Sequence, residues 1–171
     1  MKRISFQTDV LPLKNELFRL ALRITLNRAE AEDVVQETMM KVWNRRADWD
    51  KIDSIEAFCL TICRNLSLDK MRHMDNQAET LEQSPETADS SYASNPEEQA
   101  VQRDRIALVR RLIDQLPEKQ RSVMQLRDME GKSYRDIAAI MGISEEQVKI
   151  NIFRARQSIK KEFIKQEQYG L

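Results

Sequence analysis

Residues 133–156, with the sequence SYRDIAAIMGISEEQVKINIFRAR, read as two short helices joined by a tight turn. Ser133 is placed to cap a first helix, and Gly142 supplies a left-handed residue at which that helix can end. Ser144 opens a second helix, because Ser144 and Gln147 have the spacing of a capping box. The pattern predicts a helix-turn-helix, a unit whose second helix can enter the major groove of DNA.

The second helix of this unit is amphipathic. Its apolar residues recur at the spacing of one helix face, namely Val148, Ile152, Ala155 and Ile159. The side chains left on the other faces are Gln147, Lys149, Ile150, Asn151 and Arg154. An ordinary helical hairpin is the alternative, since caps and glycine turns occur in any helical protein. DNA binding is favoured because basic residues continue along the same helix as far as Lys161.

The composition predicts an all-α protein. Three glycines and four prolines in 171 residues are few, and long stretches show helical periodicity with almost no alternation of β-branched residues. No run approaches the roughly 18 apolar residues of a membrane-spanning helix, and the N-terminus lacks the apolar core of a signal peptide. We therefore expect a cytoplasmic protein without membrane insertion.

Charge is unevenly distributed, although the formal net charge is zero. Residues 74–102 contain seven Asp or Glu and no Lys or Arg, whereas residues 103–171 contain 15 Lys or Arg against 10 Asp or Glu. A polar, acidic segment with few large apolar residues cannot bury enough surface to fold by itself. The sequence predicts two small helical domains, 1–73 and 103–171, joined by a flexible acidic linker. The basic second domain suits a polyanionic partner.

The chain offers little for catalysis or metal binding. It has two cysteines, Cys59 and Cys63, and one histidine, His73, which lies ten residues beyond Cys63 in the sequence. A structural zinc site normally needs four Cys or His ligands. Buried, reduced thiols are expected instead. With no nucleophile and base in a recognisable arrangement, we expect no enzyme activity, no metal, no cofactor and no small-molecule substrate.

The first domain is predicted to contain three helices. The first begins near Pro12, the second spans residues 28–46 and the third spans residues 55–72. The second of these carries polar residues opposite its apolar face, namely Asp33, Gln36, Glu37 and Lys41. The third has a polar side with Arg64, Asn65, Asp69 and Arg72. A loop at 47–54, which contains Trp49, joins the two helices.

Three stretches, in this order and spacing, resemble the extracytoplasmic-function group of the bacterial sigma-70 family. Residues 31–43 (AEDVVQETMMKVW) are similar to the helix that binds core RNA polymerase, residues 55–72 (IEAFCLTICRNLSLDKMR) to the helix that engages the −10 promoter element, and residues 116–156 to the domain that reads the −35 element. The resemblance covers nearly everything except the linker and the termini. It implies a non-catalytic subunit that recruits polymerase to promoter DNA and helps to open it, with an anti-sigma protein as a further partner.

Three positions depart from the family pattern. Phe58 stands where the family commonly has Trp, and Cys63 where it commonly has Ala; both are compatible with core packing. Gln147 replaces a frequent Thr at the start of the recognition helix, a position that can touch bases. This departure concerns the promoter sequence that is read rather than the function.

The resemblance assigns three sets of site residues. Core polymerase binding falls to Asp33, Gln36, Glu37 and Lys41. Contact with the −10 element falls to Trp49, Arg64, Asn65, Asp69, Lys70 and Arg72, although Trp49 serves equally well as a lid over the core. Contact with the −35 element falls to Arg121, Arg135, Gln147, Lys149, Ile150, Asn151, Arg154 and Arg156. In this set Arg121 and Arg135 suit the DNA backbone, whereas Arg156 suits either a phosphate or a surface ion pair.

A stand-alone helix-turn-helix regulator is the alternative function. Such a protein would bind a palindromic site tightly without polymerase, and its first domain would serve dimerisation. The stretch that resembles the polymerase-binding helix argues against it.

Overall fold

A computed structural model describes residues 3–77 and 96–168 of the chain. Within these ranges the regular structure is entirely helical, which confirms the all-α prediction. The α-helices are α1 (Lys14–Thr25), α2 (Arg28–Asn44), α3 (Ile55–Gln77), α4 (Pro96–Asp114), α5 (Glu118–Met124), α6 (Tyr134–Met141) and α7 (Glu145–Gln168). Short π-helical turns occupy Phe6–Val10 and Gln125–Met129, and short 3-10 turns occupy Leu11–Leu13 and Arg46–Lys51.

The predicted linker, 74–102, falls partly outside the described residues. Helix α3 continues to Gln77 and α4 begins at Pro96, so both ends of the predicted linker are helical. The segment between them, 78–95, which includes much of the acidic stretch, lies outside the described residues. The domain boundaries at 73 and 103 remain a prediction.

Helices α1, α2 and α3 pack on one another and form the first domain. Leu17, Leu20, Ile24, Val34 and Leu60 are fully buried among them. Asn27 begins α2 as its N-cap, because its side-chain oxygen accepts a hydrogen bond from the Glu30 backbone N–H at 3.0 Å. The predicted start of α2 at residue 28 is thus set by a local cap.

The local signals predicted for the helix-turn-helix are confirmed. Ser133 Oγ accepts from the Asp136 N–H at 3.1 Å, and Gly142 ends α6 with a φ of 66°. Ser144 Oγ accepts from the Gln147 N–H at 3.1 Å, while Gln147 Oε1 accepts from the Ser144 N–H at 3.2 Å. Helix α6 therefore begins and ends, and helix α7 begins, where the capping residues place them.

The two domains pack against each other. Helices α1 and α3 of the first domain contact α5 and α6 of the second, and buried apolar residues of both domains belong to one continuous cluster. Sequence periodicity predicts each domain's own core, but the contact between them depends on residues far apart in the chain.

Candidate nucleic-acid interface

Helix α7 presents an exposed surface next to the turn of the helix-turn-helix. Its apolar stripe is inward, since Val148, Ile152 and Ala155 are buried. Lys149, Ile150 and Arg154 are exposed, as the sequence analysis predicts for side chains that could meet DNA. This arrangement gives α7 the form of a recognition helix.

The two amides of this surface are partly engaged in local hydrogen bonds. Gln147 uses Oε1 in the capping box, and Asn151 Nδ2 donates to the Gln147 carbonyl at 2.8 Å. Bidentate pairing with adenine needs an amide donor and an amide acceptor together. Each amide keeps at least one donor and one acceptor site beyond its local bond, but these bonds orient the amides within α7, so a bidentate contact requires each side chain to rotate.

Phe153 is an exposed aromatic residue that the sequence analysis does not single out. It is 63% exposed on α7. The signal was present in the sequence, because Phe153 lies outside the apolar stripe formed by Val148, Ile152 and Ala155. An apolar ring on this surface is suited to contact a thymine methyl or a sugar.

The basic residues around the helix-turn-helix fall into two groups. Arg135 and Arg154 are exposed, and neither has an ion-pair partner among the residues that the structure describes. Arg156 donates from Nε to Asp128 Oδ2 at 3.1 Å, with a second contact to Asp128 Oδ1. Asp128 raises the pKa of the Arg156 guanidinium through this hydrogen bond. Of the two predicted roles for Arg156, the surface ion pair is the one present here.

Two cations lie against the ring of Tyr134, the first residue of α6. Arg127 Cζ is 4.3 Å from the ring centroid and Lys149 Nζ is 5.6 Å from it. Lys149 is among the side chains that the sequence predicts at the interface, whereas Arg127 and Tyr134 are not, since no spacing rule brings these three positions together.

The predicted polymerase-binding residues lie on the outward side of α2. Asp33, Gln36 and Lys41 are exposed and Glu37 is half-buried. Within the described ranges the three charged residues make no ion pair, so their charge is available to a partner.

An exposed apolar patch lies on the same helix. Met40 is 65% exposed and Trp43 is 45% exposed. The Trp43 ring packs edge-to-face against Phe6 and Trp49, with ring centroids 5.5 Å and 6.2 Å apart. Apolar residues beside free charges are typical of a protein-binding surface.

The predicted −10 residues separate into exposed and buried groups. Asn65, Asp69 and Arg72 are exposed, and Asp69 pairs with Arg72 at 3.5 Å. Lys70 is half-buried and pairs with Glu30 at 3.5 Å. Only the exposed residues of this set are accessible to DNA in this arrangement.

Trp49 and Arg64 are buried, unlike the other members of the −10 set. Trp49 Nε1 donates to the Val42 carbonyl at 3.0 Å, which is the lid-like role that the sequence left open. Arg64 is 6% exposed and pairs with Glu118 at the contact between the domains. In this packing both side chains are buried, and Trp49 Nε1 and Arg64 Nη2 donate to protein groups, so neither residue is accessible to DNA; their assignment to DNA stays a prediction.

Arg121 is also buried, although it was predicted to hold the DNA backbone. Its guanidinium donates to the carbonyls of Ile24 at 3.2 Å, Asp114 at 3.3 Å and Leu116 at 3.3 Å. Burial lowers its pKa. The Ile24 contact crosses between the domains, so Arg121 stabilises the packing and does not reach a phosphate here.

Further ion pairs surround this contact between the domains. Arg19 pairs with Glu130, and Arg23 with Asp114 at 3.0 Å. Lys132, in the turn before α6, pairs with Glu16 at 2.8 Å and also with Glu56.

The thiols of Cys59 and Cys63 are buried and free. Burial raises the pKa of each to about 12, so both are neutral at ordinary pH. Cys63 Sγ donates to the Leu17 carbonyl at 3.3 Å. In the described part of the chain no group of three or more His, Cys, Asp or Glu is arranged to hold a metal ion.

Two family models match the two domains. Sigma-70 region 2 matches residues 10–76, and Sigma-70 region 4 matches residues 106–159. The RNA polymerase sigma-H factor of Pseudomonas aeruginosa is 32% identical over 166 residues, covering 92% of this chain and 85% of that protein. The chain belongs to the sigma-70 family. It falls in the extracytoplasmic-function group, to which a second relative, the ECF RNA polymerase sigma factor SigE of Mycolicibacterium smegmatis, also belongs.

The relatives of this sigma-70 family chain differ in length. SigE is 31% identical over 148 residues, which cover 85% of this chain but only 56% of SigE. Among solved structures, the sigma factor RpoE of Bartonella quintana, determined in complex with the anti-sigma factor NepR, shares the fold with a TM-score of 0.74 and 24% identity, over 91% of this chain and 94% of that one. Among the helices described here, none is long and apolar enough to cross a membrane.

Proposed function

We propose that this chain is a sigma subunit that binds core RNA polymerase, directs it to specific promoters and assists promoter melting. The exposed recognition helix α7, with unpaired cations beside it, is the observation that carries the proposal. Its second support is the free charge and apolar surface of α2, at the position where sigma-70 region 2 matches. The chain would act in the cytoplasm as a binding subunit, without a reaction of its own.

The division of labour follows from three exposed surfaces. The α2 surface with Asp33, Gln36, Glu37 and Lys41 would bind the polymerase, where rim charges set orientation and association rate. Asn65, Asp69 and Arg72 would meet the −10 element, where an unpaired base can be captured. The surface of α7 would read the −35 element.

Simultaneous contact with both elements would require the domains to separate. The −35 and −10 positions are about 25 base pairs apart, or roughly 85 Å along B-DNA at about 3.4 Å per base pair. A packed chain of this size has a radius of gyration of about 15 Å. The packed arrangement is therefore too small to span a promoter, and opening would also uncover Arg64 and Arg121.

An anti-sigma protein is proposed as a further partner. The similarity to RpoE, whose structure was determined with NepR, motivates this proposal. A partner that prefers the packed arrangement would hold the chain away from promoters by its differential affinity for that state.

Transcription from a randomised promoter library tests the proposed function. Purified core polymerase with the chain should yield transcripts whose templates share two elements at fixed spacing, and core polymerase alone should not. A stand-alone regulator would instead retain palindromic DNA without polymerase and would add no new start sites. That second result would contradict the proposal.

A further inference from the structure

Tyr134 connects three separate parts of the second domain through its ring. Arg127 comes from the π-helical turn after α5, and Lys149 comes from the recognition helix α7. Their cationic groups lie 4.3 and 5.6 Å from the Tyr134 ring centroid. Both distances are within the roughly 6 Å at which a cation is attracted to an aromatic face.

Among the described residues, no carboxylate balances the charge of this cluster. In the part of the chain that the structure describes, neither Arg127 nor Lys149 has a carboxylate within ion-pair distance. The neighbouring Arg156, by contrast, has Asp128. Two cations against one ring are within about one Debye length, about 10 Å at 0.1 M salt, so their repulsion is not screened away.

Arg127 is also fixed from a second side. Its Nη1 donates to the Lys132 carbonyl at 2.8 Å, which leaves the rest of the guanidinium free to donate. A guanidinium with free donors and an ammonium group that contact the same ring are suitable donors to an oxyanion with several acceptor atoms, such as a phosphate.

We propose that Tyr134 is a positioning residue that holds Arg127 and Lys149 together for one backbone phosphate at the edge of the −35 element. The inference rests on the proposed function and makes it more specific. It assigns Lys149 to the DNA backbone rather than to a base, and it adds Arg127 and Tyr134 to the interface. The ring orders two long side chains before DNA arrives, so less conformational entropy is lost on binding.

The test measures binding of the full-length chain to two DNA duplexes across a range of salt concentrations. One duplex carries a −35 element selected from the randomised library, and the other carries the same bases in scrambled order. Lys149→Ala should weaken binding to both duplexes by the same factor and lower the salt slope by about one. Tyr134→Leu should weaken binding about two- to fivefold, the range of an exposed cation–π contact. Tyr134→Phe keeps the ring and should bind as the unchanged chain does.

A double-variant cycle separates positioning from a general structural role. If Tyr134 acts through the two cations, Tyr134→Leu should add no further loss once Arg127→Ala and Lys149→Ala are present. A loss that persists in that background would overturn the proposal, and so would a Tyr134→Phe variant as weak as Tyr134→Leu. If Lys149→Ala affected only the selected duplex, the phosphate assignment would be wrong while −35 reading stood. If all variants bound both duplexes normally but the selected duplex were not preferred, the proposed function itself would fail.

Discussion

Arg64 on α3 donates from Nη2 to both carboxylate oxygens of Glu118 on α5, at 2.9 and 3.2 Å. Both side chains are largely buried, with exposed fractions of 8% and 17%. Ser122 donates a further hydrogen bond to Glu118 at 2.6 Å. The helix expected to engage the −10 element is thus attached to the domain expected to read the −35 element.

Two hydrogen-bond donors at this contact between the domains nevertheless lack an acceptor among the described residues. Arg64 Nε and Arg121 Nε are buried at this contact without a hydrogen-bond partner in the described ranges. A buried donor without a partner costs about 1–3 kcal/mol. Separation of the domains would return both groups to water, which lowers the net cost of opening.

The first prediction concerns Glu118→Gln. The substitution leaves the Arg64 charge buried without its counter-ion, and loss of one partner of a buried pair typically costs about 3–5 kcal/mol. Because opening can hydrate Arg64, we expect the domains to separate while each keeps its helices. Small-angle X-ray scattering should detect a larger radius of gyration. Glu32→Gln, which removes the partner of Arg28 in an exposed pair, is the control and should leave the radius of gyration unchanged. Equal radii for the two variants would contradict the inference that Glu118 holds the domains together.

The second prediction concerns binding to core polymerase. Reversal of Asp33 and Glu37 to Lys should abolish co-purification with core enzyme, since it inverts the charge that α2 presents to its proposed partner. Circular dichroism should remain unchanged, because neither residue contributes to the core. Reversal of Asp104 and Glu167 to Lys applies the same change in charge elsewhere and should leave co-purification intact. Retention of the first variant by core enzyme would remove the support for this surface.

The third prediction concerns Arg154 as a base reader. Arg154 is exposed on α7 without an ion-pair partner among the described residues, so it is free to pair with guanine. Arg154→Ala should cost about 1–3 kcal/mol on the selected duplex and relax specificity at one position. Arg135→Ala, which removes an exposed cation from α6, should weaken all sequences equally. If binding profiles of the two variants proved indistinguishable, Arg154 would be a backbone contact instead.

The sequence predicts the parts of this structure that depend on neighbours in the chain. Ser133, Gly142 and Ser144 act on residues within one turn, so their roles follow from local chemistry. The position of Arg64 does not, because its partner lies 54 positions away. The contact between Arg121 and Ile24 spans 97 positions, and both arginines read as surface cations when only their own helices are considered.

The candidate interface also combines features set by sequence neighbours with features set by distant residues. The exposure of Lys149 and Arg154 follows from helical periodicity within α7. The cluster around Tyr134 does not, because it depends on how α6 and α7 cross and on where the turn at Gln125–Met129 places Arg127. Trp43 depends on both local pattern and position. Helical periodicity places it on the apolar face of α2, but its position near the end of the helix leaves it 45% exposed.

The fourth prediction concerns the two thiols. Burial raises the pKa of Cys59 and Cys63 from 9.0 to about 12. A raised folded-state pKa contributes stability that is present below pH 9 and is lost as pH rises toward 12. In that window each thiol should lower the free energy of unfolding by up to about 1.4 kcal/mol per pH unit. At pH 8 both thiols should resist iodoacetamide until urea unfolds the chain; rapid alkylation of the native protein would contradict their burial.

The fifth prediction uses two left-handed residues that end helices. Leu26 ends α1 with a φ of 56° and is 45% exposed, whereas Gly142 ends α6 with a φ of 66°. A residue with a Cβ atom pays about 1–2 kcal/mol in this conformation, and glycine does not. Leu26→Gly should therefore stabilise the first domain by up to about 0.5–1 kcal/mol, because relief of the backbone strain exceeds the loss of apolar contact from a side chain that is only about half-buried.

Gly142→Ala is the matched change in the opposite direction. A Cβ atom at Gly142 would meet nothing within 4 Å, so any loss of stability must come from the backbone conformation rather than from a clash. We expect a loss of about 1 kcal/mol in urea unfolding monitored by circular dichroism. Opposite signs for Leu26→Gly and Gly142→Ala would attribute both effects to the left-handed conformation. Destabilisation by both would mean that the Leu26 side chain contributes packing that outweighs its backbone strain.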